Sequence, residues 1–234
     1  MSDAKPKQSS SLSGYAIWLI PSADEKQHYQ PLINRLAKLG DGRSDDEKGD
    51  SPSFEPHITL FAFIPLDAPI GQISDTLRQV VARVNTEASE SSKTGATFEN
   101  CSGLKDFVLE LLPAQSGTSY FQSVLAPVKP TATLLSLREQ TVAAFSSSPS
   151  PSSSLSPLSD CQKKKGGRTD DYFPHLSLFY GDCTQQKRDE IASVANKDDP
   201  SLGSGRARVT IKELGIVRCA GKVEEWEHVD SVVL

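Results

Sequence analysis

Two six-residue stretches of the chain are near copies of each other. Residues 56–61 read Pro56-His57-Ile58-Thr59-Leu60-Phe61, and residues 174–179 read Pro174-His175-Leu176-Ser177-Leu178-Phe179. Half of the four histidines in the chain lie in this frame. Successive side chains on a strand point to opposite faces. His57 and Thr59 therefore share a face, about 7 Å apart along the strand, while Ile58 and Leu60 point into a core. His175 and Ser177 stand in the same relation to Leu176 and Leu178. Brought together across a groove, the copies would offer two imidazoles and two hydroxyls. The hydroxyls can donate to non-bridging phosphate oxygens. Histidine titrates near neutrality, so one neutral and one protonated ring can coexist. One ring then takes a proton from an attacking oxygen and the other gives one to a leaving oxygen. Each transfer is typically worth about 10²–10⁴-fold. Those are the parts of a metal-free phosphodiester-cleaving site.

A single His-x-Thr on a strand is usually structural, because Thr is a good strand former and a half-buried His can bond to backbone. The repetition, with Pro before and Leu-Phe after each copy, gives the pair its meaning. His28 and His228 lack such a frame and read as solvated. The Lys163-Lys164-Lys165 run reads as a solvated loop. The carboxylates show no metal-ligand spacing, and no metal or cofactor is expected.

The elements that must position these groups follow from periodicity. Tyr15 to Ile20 reads as a buried strand closed by Pro21. Ser22 with Glu25 is a possible capping box. Leu32, Ile33, Leu36 and Leu39 recur at helical spacing up to Gly40, and Pro31 marks that helix's start or a kink. The first His strand runs from Phe54 to Ile64. Ile73, Leu77, Val80, Val81 and Val84 form an amphipathic helix, and residues 86–96 are loop-like. Phe98 to Leu112 holds two strands around Gly103, Phe121 to Val128 another, and Thr131 to Phe145 a helix. The second His strand spans Tyr172 to Tyr180. A helix over 184–197, a strand or bent pair over Arg208 to Cys219, and a last strand over Val223 to Val233 complete the chain. The 118 positions separating His57 from His175 allow one lobe's worth of elements. The copies are therefore expected on different sheets.

At 234 residues and net charge −5, with a pI of about 5.4, the chain can bury a core unaided. It is not the basic chain that a general long-nucleic-acid binder usually is. A small anionic substrate fits better. No apolar run reaches the length of a membrane span, and Met1 to Ser13 lacks the apolar centre of a secretory signal. Four cysteines without a CxxC make neither a disulfide framework nor a zinc signature. The expected setting is intracellular and reducing, cytoplasmic before other compartments, with Golgi association left open. Residues 1–12 read as a disordered tail. Residues 13–234 read as one domain with flexible insertions at about 41–53 and 146–171, the second Ser/Pro-rich and too poor in apolar residues to order itself.

The two hexads resemble those of the two-histidine phosphoesterase superfamily, marked by paired His-h-Thr/Ser-h motifs. The chain is most similar to the cyclic phosphodiesterases of fungi and plants. Besides the hexads, the similarity rests on Tyr15-Ala16-Ile17-Trp18-Leu19-Ile20-Pro21, on Tyr180, and on Gly221-Lys222-Val223 with Trp226. It implies a bilobal α+β fold: two antiparallel sheets face across a cleft, helices lie on the outer faces, and the halves are an internal pseudo-duplication. The implied reaction opens a nucleoside 2′,3′-cyclic phosphate to the 2′-phosphate, or ADP-ribose 1″,2″-cyclic phosphate to the 1″-phosphate, chemistry linked to tRNA splicing. His57 and His175 would be the acid/base pair, with Thr59 and Ser177 binding substrate. Trp18 and Tyr180 would contact base or ribose, although strict strand alternation puts Tyr180 on the wrong face unless the strand bulges after Leu178. The implied partner is a small nucleotide cyclic phosphate, and the enzyme is expected to act as a monomer. Two other readings stand beside this one: a 2′–5′ phosphodiesterase, ligase-like or RNA-end-processing enzyme using the same four residues, and a non-catalytic nucleotide-binding module.

Overall fold

A computed structural model describes residues 13–40, 51–93, 103–146 and 172–234. The tail at 1–12, most of the 41–53 insertion, the first strand expected near Phe98, the Ser/Pro-rich segment and the lysine run lie outside the described residues, as do Cys101 and Cys161.

The fold is α+β. Eight strands are described: β1 (Gly14–Pro21), β2 (Ile58–Ile64), β3 (Phe107–Glu110), β4 (Gln115–Ser116), β5 (Val124–Pro127), β6 (His175–Phe179), β7 (Arg208–Cys219) and β8 (Glu227–Val233). Five helices accompany them: α1 (Ala23–Gly40), α2 (Ile70–Lys93), α3 (Ala132–Ser146), α4 (Gln185–Asp198) and the short α5 (Pro200–Gly203). Every pairing is antiparallel, in the order β3-β7-β1-β2-β6-β5-β4. β7 is one unbroken strand long enough to pair with β3 at its start and β8 over its second half.

The expectation of two separate sheets needs correcting. The hydrogen-bonded path is continuous, and the two His strands are neighbours within it. The joint is narrow, however, with Ile58 opposite Leu176 as the only registered pair between β2 and β6. Sequence separation suggested two sheets because it does not reveal that the strands meet edge to edge. The helices reinforce this thin joint by crossing it. α1 leaves β1 and packs on β6 and α4, while α3 precedes β6 yet packs on β2 and α2.

One sheet face lies on the main core. Ile17, Leu19, Ile58, Leu60, Leu176 and Leu178 are buried there against Ile33, Leu36, Leu77, Leu134 and Leu137 of α1, α2 and α3. All five positions of the amphipathic pattern in α2 are buried, as their spacing requires. The other face carries a small apolar cluster of Ala16, Trp18, Ile20, Val217 and Cys219. Alternation along β1 divides its residues between the two faces.

Three local readings change. α2 runs on to Lys93 through residues read as a loop. The Thr86 and Ser89 hydroxyls bond to the carbonyls of Ala82 and Asn85, at 2.9 Å each, so a polar run continues the helix as its outer face. α1 begins at Ala23, with Pro31 in its interior. The capping box is half formed: Glu25 N–H reaches Ser22 Oγ at 3.5 Å, but the Glu25 carboxylate accepts from Thr210 N–H at 3.1 Å and so ties α1 to β7.

Candidate functional site

The two histidines make the same local hydrogen bond. His57 Nδ1 lies 2.6 Å from the Glu55 carbonyl, and His175 Nδ1 lies 2.8 Å from the Phe173 carbonyl. In each case the acceptor is two residues upstream. A carbonyl can only accept, so each Nδ1 carries a proton, and each neutral ring keeps its lone pair on Nε2. Continuing the antiparallel register one step either side of Ile58 and Leu176 sets His57 opposite Ser177 and Thr59 opposite His175. All four groups fall on the face away from the main core. The structure thus brings His57, Thr59, His175 and Ser177 together.

Both strands then bulge at the same place. β1 pairs Trp18 with Thr59 and Ile17 with Phe61, leaving Leu60 as an extra residue. β5 pairs Leu125 with Ser177 and Val124 with Phe179, leaving Leu178 extra. An extra residue resets the alternation beyond it. Phe61 and Phe179 accordingly turn to the main core, and the next residue in each copy returns to the His face. That residue is Ala62 in the first copy and Tyr180 in the second. The bulge after Leu178 resolves the problem that strict alternation posed for Tyr180.

Tyr180 reaches across to the other copy, its hydroxyl 3.3 Å from His57 Nε2. Burial holds the phenol protonated well above its usual range, opposed in part by a hydrogen bond from Ser177. The phenol therefore donates to the unprotonated Nε2, and Ser177, Tyr180 and His57 form a chain of donors. Trp18 stacks on His57, with ring centroids 3.5 Å apart and planes 8° from parallel. Phe54 meets the same imidazole edge-on and stacks on Tyr180 at 4.0 Å. Trp18 is 5% exposed, so it is both a packed core residue and a wall of the site. Beyond it Trp226 lies 6.0 Å from Trp18 and stacks on Phe121 at 5.7 Å.

The two imidazoles differ in environment. His57 is 1% exposed. Burial lowers its pKa from 6.5 to about 3; the Glu55 hydrogen bond opposes this and the neighbouring His175 adds to it. His175 is half-buried, and burial lowers its pKa as well, against the Phe173 hydrogen bond. Both rings are therefore neutral near neutral pH. An anion placed between them would favour adding one proton to the pair.

Sequence reading missed Phe54, Glu55, Phe121 and Trp226 as parts of this site, and His228 is not simply solvated. His228 Nδ1 lies 4.0 Å from Glu55 Oε2, beside a cavity that also touches Trp18 and Trp226. No spacing rule links residues on separate elements, although the position of Phe54 and Glu55 just ahead of His57 was a usable signal. His28 instead pairs with the buried Asp199 at 2.9 Å, which fastens α1 to the cap of α5. Among the described residues no three His, Cys, Asp or Glu side chains gather as a metal site would require, and no helix is long and apolar enough to cross a membrane.

Comparison with known proteins matches residues 13–234 to the family described as "Cyclic phosphodiesterase-like protein". A Yarrowia lipolytica protein named 2′,3′-cyclic-nucleotide 3′-phosphodiesterase is 27% identical over 231 residues, covering 92% of this chain and 96% of its own. An Arabidopsis thaliana protein named cyclic phosphodiesterase is 23% identical over 217 residues, covering 92% of each. Among solved structures, E. coli LigT complexed with phosphate is similar with a TM-score of 0.41 and 8% identity, over 96% of this chain and 98% of that one. LigT complexed with NADP+ gives 0.43 and 11%, over 96% and 99%.

Proposed function

This chain belongs to the cyclic phosphodiesterase-like protein family, an enzyme of the cyclic phosphodiesterase type, and we propose that it opens nucleoside 2′,3′-cyclic phosphates to 2′-phosphates with the His57–His175 pair as acid and base. ADP-ribose 1″,2″-cyclic phosphate is the second substrate of the same chemistry. The supporting observation is the matched tautomers. Both rings are locked by Nδ1–H on a carbonyl, so both present Nε2 to the same face. Thr59 and Ser177 stand diagonally between them, where they can donate to the two non-bridging oxygens of a cyclic phosphate.

In this mechanism a water attacks phosphorus in line with the bond to the 3′ oxygen. One neutral Nε2 removes the water's proton as the P–O bond forms. The other ring, protonated when the anion enters, returns a proton to the 3′ oxygen as it leaves. The pair ends with its protons exchanged and resets through solvent. The Tyr180 hydroxyl occupies the position beside His57 Nε2 that the attacking or leaving oxygen takes over. Because the rings interact, the pair titrates as a unit.

The test is product analysis of 2′,3′-cyclic AMP hydrolysis by the purified chain in the presence of EDTA. Formation of 2′-AMP at an undiminished rate is expected. A 3′-AMP product, or activity that vanishes with chelation and returns with metal, would sink the proposal.

A further inference from the structure

We propose that Lys26, Gln30 and Asn34, a polar stripe along α1, are positioning residues that set the tautomer of His57. By gripping residues 53–55 they hold the Glu55 carbonyl against Nδ1, which keeps Nε2 unprotonated and open to substrate. This rests on the acid–base reading above and names what readies one half of the pair.

The three side chains recur every four residues, so they line one edge of the helix. The core face of α1 is a different one, built from Tyr29, Leu32, Ile33, Leu36 and Ala37. Each stripe residue holds one of three consecutive residues ahead of β2. Asn34 Oδ1 accepts from Ser53 Oγ at 2.6 Å. Gln30 Nε2 donates to the Phe54 carbonyl at 3.1 Å and to Asn34 Oδ1 at 2.9 Å. Lys26 Nζ lies 2.5 Å from Glu55 Oε1, whereas His228 stands 4.0 Å from the other carboxylate oxygen. The helix is itself anchored, since Arg35 and His28 pair with Asp198 and Asp199 at 2.9 Å each. A support fixed in this way can fix what it touches.

The two copies differ in what secures the residues before the histidine. Ahead of His175, the Pro174 carbonyl accepts from Val128 N–H at 2.8 Å, so main chain next to β5 straps that stretch. Ahead of His57, Pro56 has no N–H to give, and residues 53–56 make no backbone-to-backbone hydrogen bond among the described residues. Side chains of α1 do there what backbone does in the second copy. The effect reaches the imidazole because its tautomer follows the bond that Nδ1 makes. If the Glu55 carbonyl withdraws, the proton can sit on Nε2 instead, and that nitrogen no longer accepts from an attacking water.

Nitrogen-15 NMR of the histidine-labelled full chain reads which ring nitrogen bears the proton. His57 is neutral near neutral pH, so its tautomer is visible there. Among four histidines, its signals are those lost in His57→Ala. kcat and KM on 2′,3′-cyclic AMP are measured alongside. Gln30→Ala and Lys26→Met should each give a mixed His57 tautomer, with kcat about tenfold lower and KM within about twofold, since moving a catalytic group by about 1 Å can cost about 10²-fold. Lys26→Arg, which keeps the ion pair, should retain the wild-type readings. Lys129→Ala, which breaks the exposed pair with Glu110, should move neither. A His57 that stays wholly Nδ1-protonated when Lys26→Met and Gln30→Ala are combined, or a fall in kcat with an unmoved tautomer, overturns the proposal. Neither change removes a buried apolar side chain; should the combined variant fail to fold, the single variants decide by the same readings. If the wild-type chain turns over no cyclic nucleotide, the hydrolase reading fails by itself, and the tautomer spectra alone then decide the role of the stripe.

Discussion

His57 and His175 sit in near-identical hexads and share a local hydrogen-bond pattern, yet they live in unlike surroundings. Each has its Nδ1–H on a carbonyl two residues back, a hydroxyl two residues ahead and a bulge at the following leucine. His57 is enclosed by Trp18, Phe54 and the Tyr180 hydroxyl. His175 is half-buried, with Phe173 beside it and Phe173 itself 46% exposed. The residue that resumes the His face is Tyr180 in one copy and Ala62 in the other. What the hexads repeat is the aim of an imidazole and a hydroxyl. What they do not repeat, the neighbours, sets how dry each imidazole is and what already touches its Nε2.

The strongest way to break this comparison is to remove each ring in turn. His57→Ala and His175→Ala should each lower kcat by about 10²–10⁴-fold, with circular dichroism showing that both variants stay folded. Near-normal turnover by either one would mean the copies are not partners. Next in size is stability. His57→Ala opens a hole under Trp18 and should cost about 2 kcal/mol in urea unfolding, whereas His175→Ala should stay within about 0.5. The same asymmetry carries a pH sign. The folded pKa of His57 lies below the unfolded 6.5, at about 3, so its neutral form adds stability above pH 6.5. That stability is lost as pH falls from 6.5 toward 3. Melting curves over that window should flatten in His57→Ala more than in His175→Ala. The smallest effect concerns the unrepeated position. Tyr180→Phe removes a donor to the neutral ring, so the acid limb of kcat/KM should move to higher pH with a loss of about tenfold. Ala62→Ser should change neither. A silent Tyr180→Phe would reduce the phenol to packing.

These contrasts also mark what the sequence could reveal. Periodicity located α2, α4 and the long β7, because a buried face leaves its spacing in the chain. The hexads disclosed their chemistry because two copies are improbable as accident. Tyr180 was legible only as a conditional, since a bulge at Leu178 is a property of pairing with β5, not of β6 alone. The single sheet was illegible: its joint is one residue pair, which no composition records. Glu55 by its type carries no sequence signal and His228 reads as solvated, because a carboxylate ahead of a strand and a lone histidine look like surface until the fold sets them 4.0 Å apart. The polar end of α2 was misread because polarity does not separate a loop from the outer face of a helix.

The place of β1 in the sheet has a consequence for how the molecule is made. β1, the first of the described strands, lies between β2 and β7, and Gly14 pairs with Cys219 about 200 residues further along the chain. One edge of β1, the strand that carries Trp18, therefore waits unpaired until β7 has emerged. A nascent chain stopped after the second hexad would hold both histidines but lack the strand that completes the sheet behind Trp18. Partnerships over such long loops form slowly. Assembly of the sheet thus waits for β7, although both hexads precede it in the chain.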